Sequence, residues 1–385
     1  MSSADVTAAR LPWDAADPYV YYESRRLDGD VVWDDTAQGW LVVGYDAARQ
    51  VLGGSDWTSD PLANPVARAS MTVMSPEFTK ASMLFADGAN HDRLRGAVRD
   101  AFTRGAVSGL TEGVEVIAAE VVAQPRPDEP FDFMSQIALP LPVAVVGEWL
   151  NLDPVHATSL RELSPPIIRM LGTLADPVEV AEGFGAVAAL MAEFLPIAAD
   201  RQAHPGDDLF SFIATAPELA LDDVVVTAIL IAVAGHETTA NLLGAGLIRL
   251  LHERVTTVDG AVITELLRLD GPVQSTVRTA TEDQRVGDVA IAAGDSVLVA
   301  VAAANRDPAV FTDPASFLPD RTGPAPLSLG YGAHYCLGAA LAQLELTVAL
   351  RKILARQPVI AGDITWRNTP AIRGPQALPV VFRGI

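Results

Sequence analysis

Leu329-Gly330-Tyr331-Gly332-Ala333-His334-Tyr335-Cys336-Leu337-Gly338 holds the only cysteine in a chain of 385 residues. Three glycines lie within six residues of that cysteine, and an amphipathic run from Leu337 to Leu354 begins directly after it. Gly330 and Gly332 permit positive φ or close backbone approach. The spacing puts Cys336 at the start of a helix, where free N–H groups and the positive dipole end favour a thiolate. A glycine-rich loop presenting a thiolate suits a soft-metal ligand. Two other readings of these ten residues stay open, a buried inert thiol and a Cys336–His334 nucleophilic pair. The rest of the chain has to choose among them.

Outward from the loop, composition removes several function classes. There are 27 Lys+Arg against 48 Asp+Glu, a net charge of −21, and Lys80 and Lys352 are the only lysines. Phosphate neutralisation needs basic clusters, so no nucleic-acid partner is expected. Half the residues are hydrophobic, enough for a large core. One cysteine excludes an internal disulfide framework and fits a reducing cytosol, so a cytoplasmic location is expected. Residues Met1 to Pro18 lack an apolar signal core, and no membrane anchor is expected.

Upstream, Asp222 to about Leu251 is the longest periodic segment, about 45 Å as a helix at ~1.5 Å per residue. Its middle carries a polar knot, Ala234-Gly235-His236-Glu237-Thr238-Thr239. Small residues at 234 and 235 leave room for something flat. Glu237 beside Thr238 pairs a carboxylate with a hydroxyl, a combination able to relay protons; a satisfied polar layer is the plainer reading. Asp259 to Leu269 is a helix with Glu265 and Arg268 at i, i+3 among apolar neighbours. A helix opening at His91 places Arg95 one turn on, ordinarily a solvated face. Val31–Trp33 and Trp40–Val43 read as a hairpin, and Ser275–Thr279, Gln284–Val286, Val289–Ile291 and Ser296–Val301 as strands. Trp57 to Asn90 reads as a long loop with Met71, Met74 and Met83, and Ser164-Pro165-Pro166 with Gly172 as a chain break. Pro140 and Pro142 should bend or interrupt the Phe133–Leu150 helix. No linker divides residues 1–385, so one domain is expected, mainly α with small β-sheets.

Four separated signatures together resemble the cytochrome P-450 superfamily in its soluble bacterial form. Gly330 to Gly338 resembles the haem-ligand loop, and Ala234-Gly235-His236-Glu237-Thr238 the oxygen-activation segment. Glu265-Leu266-Leu267-Arg268 matches the Glu-x-x-Arg helix, and His91 with Arg95 the His-x-x-x-Arg pair. Their order, with Asn305-Arg306-Asp307-Pro308 and Phe317 to Arg321 between, covers roughly residues 90 to 350.

The resemblance implies a triangular fold with haem b (iron protoporphyrin IX) between the long central helix and the cysteine loop. It implies Cys336 as axial iron ligand, haem-thiolate ligation being this family's established mode. It implies His91, Arg95, Arg278 and His334 around the propionates, with Ala234, Gly235 and Gly330 against the ring. Glu237 and Thr238 are implied as proton-delivering residues, and Glu265, Arg268 and Arg321 as a structural ion-pair network. The implied activity is a monooxygenase using O2 on a mostly apolar small molecule, by analogy in specialised (secondary) metabolism. Met83, Ala234, Val273 and Thr276 are expected in the substrate pocket. Ferredoxin and ferredoxin reductase are the expected electron source, docking near Arg93, Arg99, Arg351 and Lys352. Leu329 replaces the usual aromatic residue, Gln343 a common basic one, and the segment Leu251 to Gly260 is short. A peroxide-driven peroxygenase, a non-oxidising haem-binding protein and a cysteine hydrolase are the rival functions.

Overall fold

The computed structural model describes residues 14–35, 39–65, 68, 76–172, 177–367, 369 and 371–383. Its spine is a 32-residue helix, Leu221–His252, apolar on nearly every side and buried along most of its length. A helix hydrophobic all round has to be enclosed by others. Here the Pro140–Trp149, Pro177–Ala203 and Ala339–Ala355 helices enclose it. Among the described residues two helices, Val178–Ala203 and Leu221–His252, match a membrane span by length and composition, but the second is the packed core of the molecule.

The β part is small. Its largest sheet runs in space Val31–Asp34, Gly39–Val42, Ser296–Val299, Thr276–Ala280, Trp57–Thr58. The hairpin pairs Val31 with Val42 and Trp33 with Trp40; Gln38 of its expected turn lies outside the described residues. A separate two-stranded unit joins Thr365–Trp366 to Pro375–Ala377 and lies against the central helix.

Several local expectations change. Trp57 to Asn90 is not one loop: it holds a short strand, a 3₁₀ turn at Pro61–Ala63 and a helix at Pro76–Ala81, with Met71 and Met74 outside the described residues. Ser164-Pro165-Pro166 does not break the chain, because a helix runs from Pro154 through to Gly172. Prolines there remove two N–H donors, yet Leu160, Ile167, Ile168 and Met170 are buried on one side, and the Ser164 hydroxyl donates to the Leu160 carbonyl at 2.6 Å. Packing outweighs the local preference. Before Pro140 the chain forms a five-residue π-helical turn, Met134–Ala138, which puts Pro140 at the first position of the next helix, where its missing N–H costs little.

Candidate active site

Cys336 is reached by a chain of hydrogen bonds that begins at the Glu265–Arg268 pair. Arg268 grips Glu265 with two bonds of 2.7 and 2.8 Å, both residues buried. Arg321 adds its Nε at 3.3 Å, and the Leu318 N–H donates to the same oxygen at 2.9 Å. Arg268 then donates to the Asn305 carbonyl at 3.0 Å, while the Asn305 side chain donates to Ser328 Oγ and accepts from the Leu327 N–H. Leu329 receives the Cys336 N–H at 2.7 Å. Glu265 is itself held below the usual carboxylate range: burial opposes its charge, but the Arg268 and Leu318 bonds outweigh burial. The pair therefore fixes the cysteine loop without lining the cavity that Cys336 opens into.

Gly330 (φ +79°) and Gly332 (φ +74°) turn the loop. A Cβ on Gly332 would stand 2.8 Å from the Leu52 carbonyl oxygen, and one on Gly330 would stand 3.0 Å from that of His334. The next helix starts at Ala339, so Cys336 precedes it by three residues and the Gly338 N–H points at the sulfur. Burial pushes the Cys336 thiol up, countered by that N–H and by Arg95. A thiol so placed ionises when it meets a metal, not before.

Cys336 opens into a cavity of about 1080 Å³. Ala234, Gly235 and Thr238 are less buried than their neighbours on the central helix because they face this space. The Thr238 hydroxyl donates back to the Ala234 carbonyl at 2.8 Å. Arg95, Arg278, His334, Gly330, Met83, Val273 and Thr276 also line the cavity. Glu237 does not line it. It is buried on another side of the helix, where Arg367 Nη1 lies 3.0 Å from its Oε2 and His236 Nε2 3.7 Å from its Oε1. Burial raises the Glu237 pKa, but His236 and Arg367 more than compensate and hold it below its ordinary value. Periodicity cannot reveal Arg367, which comes from a short hairpin 130 residues on.

Around the far end of the cavity, His334 Nε2 lies 2.9 Å from Asp87 Oδ1 and 3.1 Å from Ser59 Oγ. His91 is buried behind it with ring centroids 4.4 Å apart. Burial, then His334 and Arg95, depress the His91 pKa, and its Nε2 has no hydrogen-bond partner. Arg278 is buried and donates only to Val277 O and Thr276 Oγ1; Arg95 donates to Tyr335 O at 2.6 Å. Burial lowers the pKa of both arginines; at Arg278 the Asp87 carboxylate opposes it, from beyond ion-pair distance. Of the basic residues expected on an electron-donor face, Arg93 is tied to Asp223 at 2.7 Å and Arg351 to the Val258 carbonyl.

Residues 259–360 match the sequence profile of the cytochrome P450 family. The chain is 34% identical to cytochrome P450 monooxygenase PikC of Streptomyces venezuelae, over 96% of this chain and 92% of that one. It is 33% identical to 6-deoxyerythronolide B hydroxylase of Saccharopolyspora erythraea, over 90% of each. Among solved structures it superposes on P450BioI in complex with an acyl carrier protein bearing hexadec-9Z-enoic acid. That match has a TM-score of 0.89 at 27% identity and covers 96% of this chain and 99% of the other.

The chain belongs to the cytochrome P450 family. It is a haem-iron monooxygenase, related to bacterial P450s of natural-product biosynthesis. The residues present fit a haem. A buried guanidinium (Arg278), a half-buried one (Arg95) and an orphaned imidazole nitrogen want anions, which two propionates supply. Small residues at 234 and 235 leave a flat face, and a thiol stands across the cavity from them.

Proposed function

We propose that this P450 oxidises a neutral, largely apolar small molecule of polyketide-like size, taking electrons from a separate ferredoxin and its reductase. Haem b, when bound, supplies the redox chemistry that divides dioxygen between product and water. Cys336 would hold its iron, as a thiolate. Arg95, Arg278 and His91 neutralise the propionates, with His334 kept in place by Asp87. Thr238 turns its hydroxyl oxygen to the cavity as an acceptor, its own hydrogen being given to the Ala234 carbonyl, and Glu237, held behind the helix by Arg367, takes up protons from solvent on their way to it. Glu265, Arg268 and Arg321 keep the cysteine loop in register. One domain, working in the cytoplasm, accommodates all of these roles.

The observation that carries this reading is one cavity shared by Cys336, Thr238 and the two unpaired arginines. The substrate class follows from the rest of its wall. Phe78, Met83, Ile168, Met170, Ile229 and Val233 are apolar, and among the described residues Arg95 and Arg278 are the only Arg or Lys side chains lining it. Both are taken by propionates, so a substrate carboxylate has no cation left to meet. The named substrate of the 6-deoxyerythronolide B hydroxylase relative supports the same class. Electron entry is assigned to the face around Tyr331 and Tyr335, both exposed beside Cys336; Arg49 stacks 4.6 Å over Tyr331 and gives that face a positive edge.

The test is spectroscopic. Reduced, CO-treated protein should show the red-shifted Soret band of thiolate-bound haem, and Cys336→Ser should lose it. Macrolactones and other neutral polyketides should shift the ferric spin state, and fatty acids should not. A Soret band unaffected by Cys336→Ser, or a shift produced only by carboxylates, overturns the assignment.

A further inference from the structure

Residues 371–374 run along one wall of the cavity, and each reaches something different. Ala371 and Ile372 line the cavity. The Gln274 N–H donates to the Ala371 carbonyl at 2.8 Å and the Arg373 N–H to the Pro272 carbonyl at 2.7 Å, while Ile372 bridges Val273. Gly374 rests on the central helix, where a Cβ would overlap the Asn241 side chain. Arg373 lies off the cavity wall and is buried against the N-terminal segment 14–19. Its Nη2 donates to the Ala16 carbonyl at 2.7 Å and its Nε to the Ala15 carbonyl at 3.3 Å. Its guanidinium also stands 4.1 Å from the centre of the Trp366 ring and 5.7 Å from that of Tyr19. The segment it grips is itself anchored. Arg306 stacks 3.3 Å over the Tyr19 ring, and the Tyr19 hydroxyl donates to the Leu269 carbonyl at 2.6 Å.

An ion pair does not account for Arg373. Arg249 already holds the Asp270 carboxylate with two bonds of 2.8 and 3.1 Å, and Arg373 Nη1 stays 3.8 Å from it without a hydrogen-bond partner. The directed bonds of its planar fork go to the N-terminal segment instead, and such a fork fixes orientation as well as distance. The Val273–Ile372 bridge is an isolated one outside the strands, and so small a β pairing is marginal without further support. We propose that Arg373 is a specificity-determining positioning residue: it buckles segment 14–19 onto residues 371–374 and thereby sets how far Ile372 projects into the cavity. This rests on the haem-containing cavity proposed above, but concerns the shape of its wall.

The test compares two iron-binding probes, imidazole and 4-phenylimidazole, titrated spectroscopically into haem-loaded wild type, Arg373→Met, Arg373→Lys, Ile372→Ala and the Arg373→Met/Ile372→Ala double variant. Both probes bind through a ring nitrogen, and the phenyl group of the second extends to the cavity wall. Arg373→Met should change the 4-phenylimidazole Kd about tenfold, the effect of one methylene of misfit in an apolar pocket, while imidazole binds unchanged. Arg373→Lys should lie between, and the double variant should move no further than Ile372→Ala. An unchanged Kd for 4-phenylimidazole, equal changes for both probes, or additive effects in the double variant would make Arg373 a fold residue with no hold on Ile372. Hydrogen exchange at Gln274 and residue 373 in the full-length proteins needs no haem, and serves where Arg373→Met fails to load it. Both amides should exchange faster in Arg373→Lys than in wild type, and equal rates overturn the clamp. A chain that takes up no haem overturns the reading of the cavity, and the exchange rates still decide whether Arg373 holds the strip.

Discussion

Arg367 Nη1 stands 3.0 Å from Glu237 Oε2, joining a short C-terminal hairpin to the middle of the central helix. Glu237 is 1% exposed and the Arg367 side chain 19%, so the carboxylate is fully desolvated and the guanidinium partly so. Removing one partner strands the other.

Arg367→Ala should therefore destabilise the protein by about 3–5 kcal/mol, the range for breaking a buried pair. Arg367→Ala combined with Glu237→Gln should recover much of that, because no stranded charge remains. Urea unfolding of the three variants measures it. The single variant should also raise the Glu237 pKa and lower product formed per electron supplied, if Glu237 is the proton source; an additive double mutant with unchanged coupling would count against the pair's importance.

Arg278→Met should have opposite effects on two forms of the protein. Without haem, a buried guanidinium lacking a carboxylate is a burden, and methionine should stabilise that form by about 1–3 kcal/mol. With haem the same change removes a charge-assisted bond to a propionate, worth roughly 1.5–3 kcal/mol, so haem should dissociate about ten- to a hundredfold faster. Thermal unfolding of the apo form and haem transfer to apomyoglobin separate the two. Equal movement of both would place Arg278 outside the propionate site.

How much of this was legible in sequence depends on how local the cause is. The Asp259 cap, whose carboxylate accepts from the Ala261 and Val262 N–H groups, is written in adjacent residues, as is the apolar run of the central helix. Glu265 and Arg268 sit one turn apart, so their pairing was readable, whereas its continuation through Asn305 to Leu327 was not. Pro165 and Pro166 misled because the packing that overrides them comes from distant helices. Glu237 and Thr238 adjoin in sequence but face different surroundings, since neighbours on a helix point about 100° apart.

The Glu265 carboxylate sets an acid limit on stability. Its folded pKa is depressed below the ordinary value of 4.5, so the stabilisation is fully present above 4.5 and is lost as pH falls through the folded value. Unfolding midpoints of wild type should thus decline more steeply on acidification below 4.5 than those of Glu265→Gln, which begins less stable and has no proton to take up there. Parallel acid profiles for the two proteins would remove Glu265 from the acid response.

Gly332→Ala tests the cysteine loop without touching the sulfur. Its φ of +74° lies where non-glycine residues are strained, a penalty of about 1–3 kcal/mol. The added methyl would also stand 2.8 Å from the Leu52 carbonyl oxygen and 3.0 Å from Gly53 Cα, both backbone atoms that cannot rotate away. The loop must then lift from the Tyr45–Gly53 helix and carry Cys336 with it. Haem content should fall, and what binds should show a Soret band moved toward that of a neutral-thiol or water-ligated iron. Gly185→Ala on the Pro177–Ala203 helix is the control, since no atom lies within 4 Å of a Cβ there and it is not part of the cavity wall. Its spectrum should match the wild type, and a Gly332→Ala protein with the same spectrum would show that the loop does not need glycine to aim the thiolate.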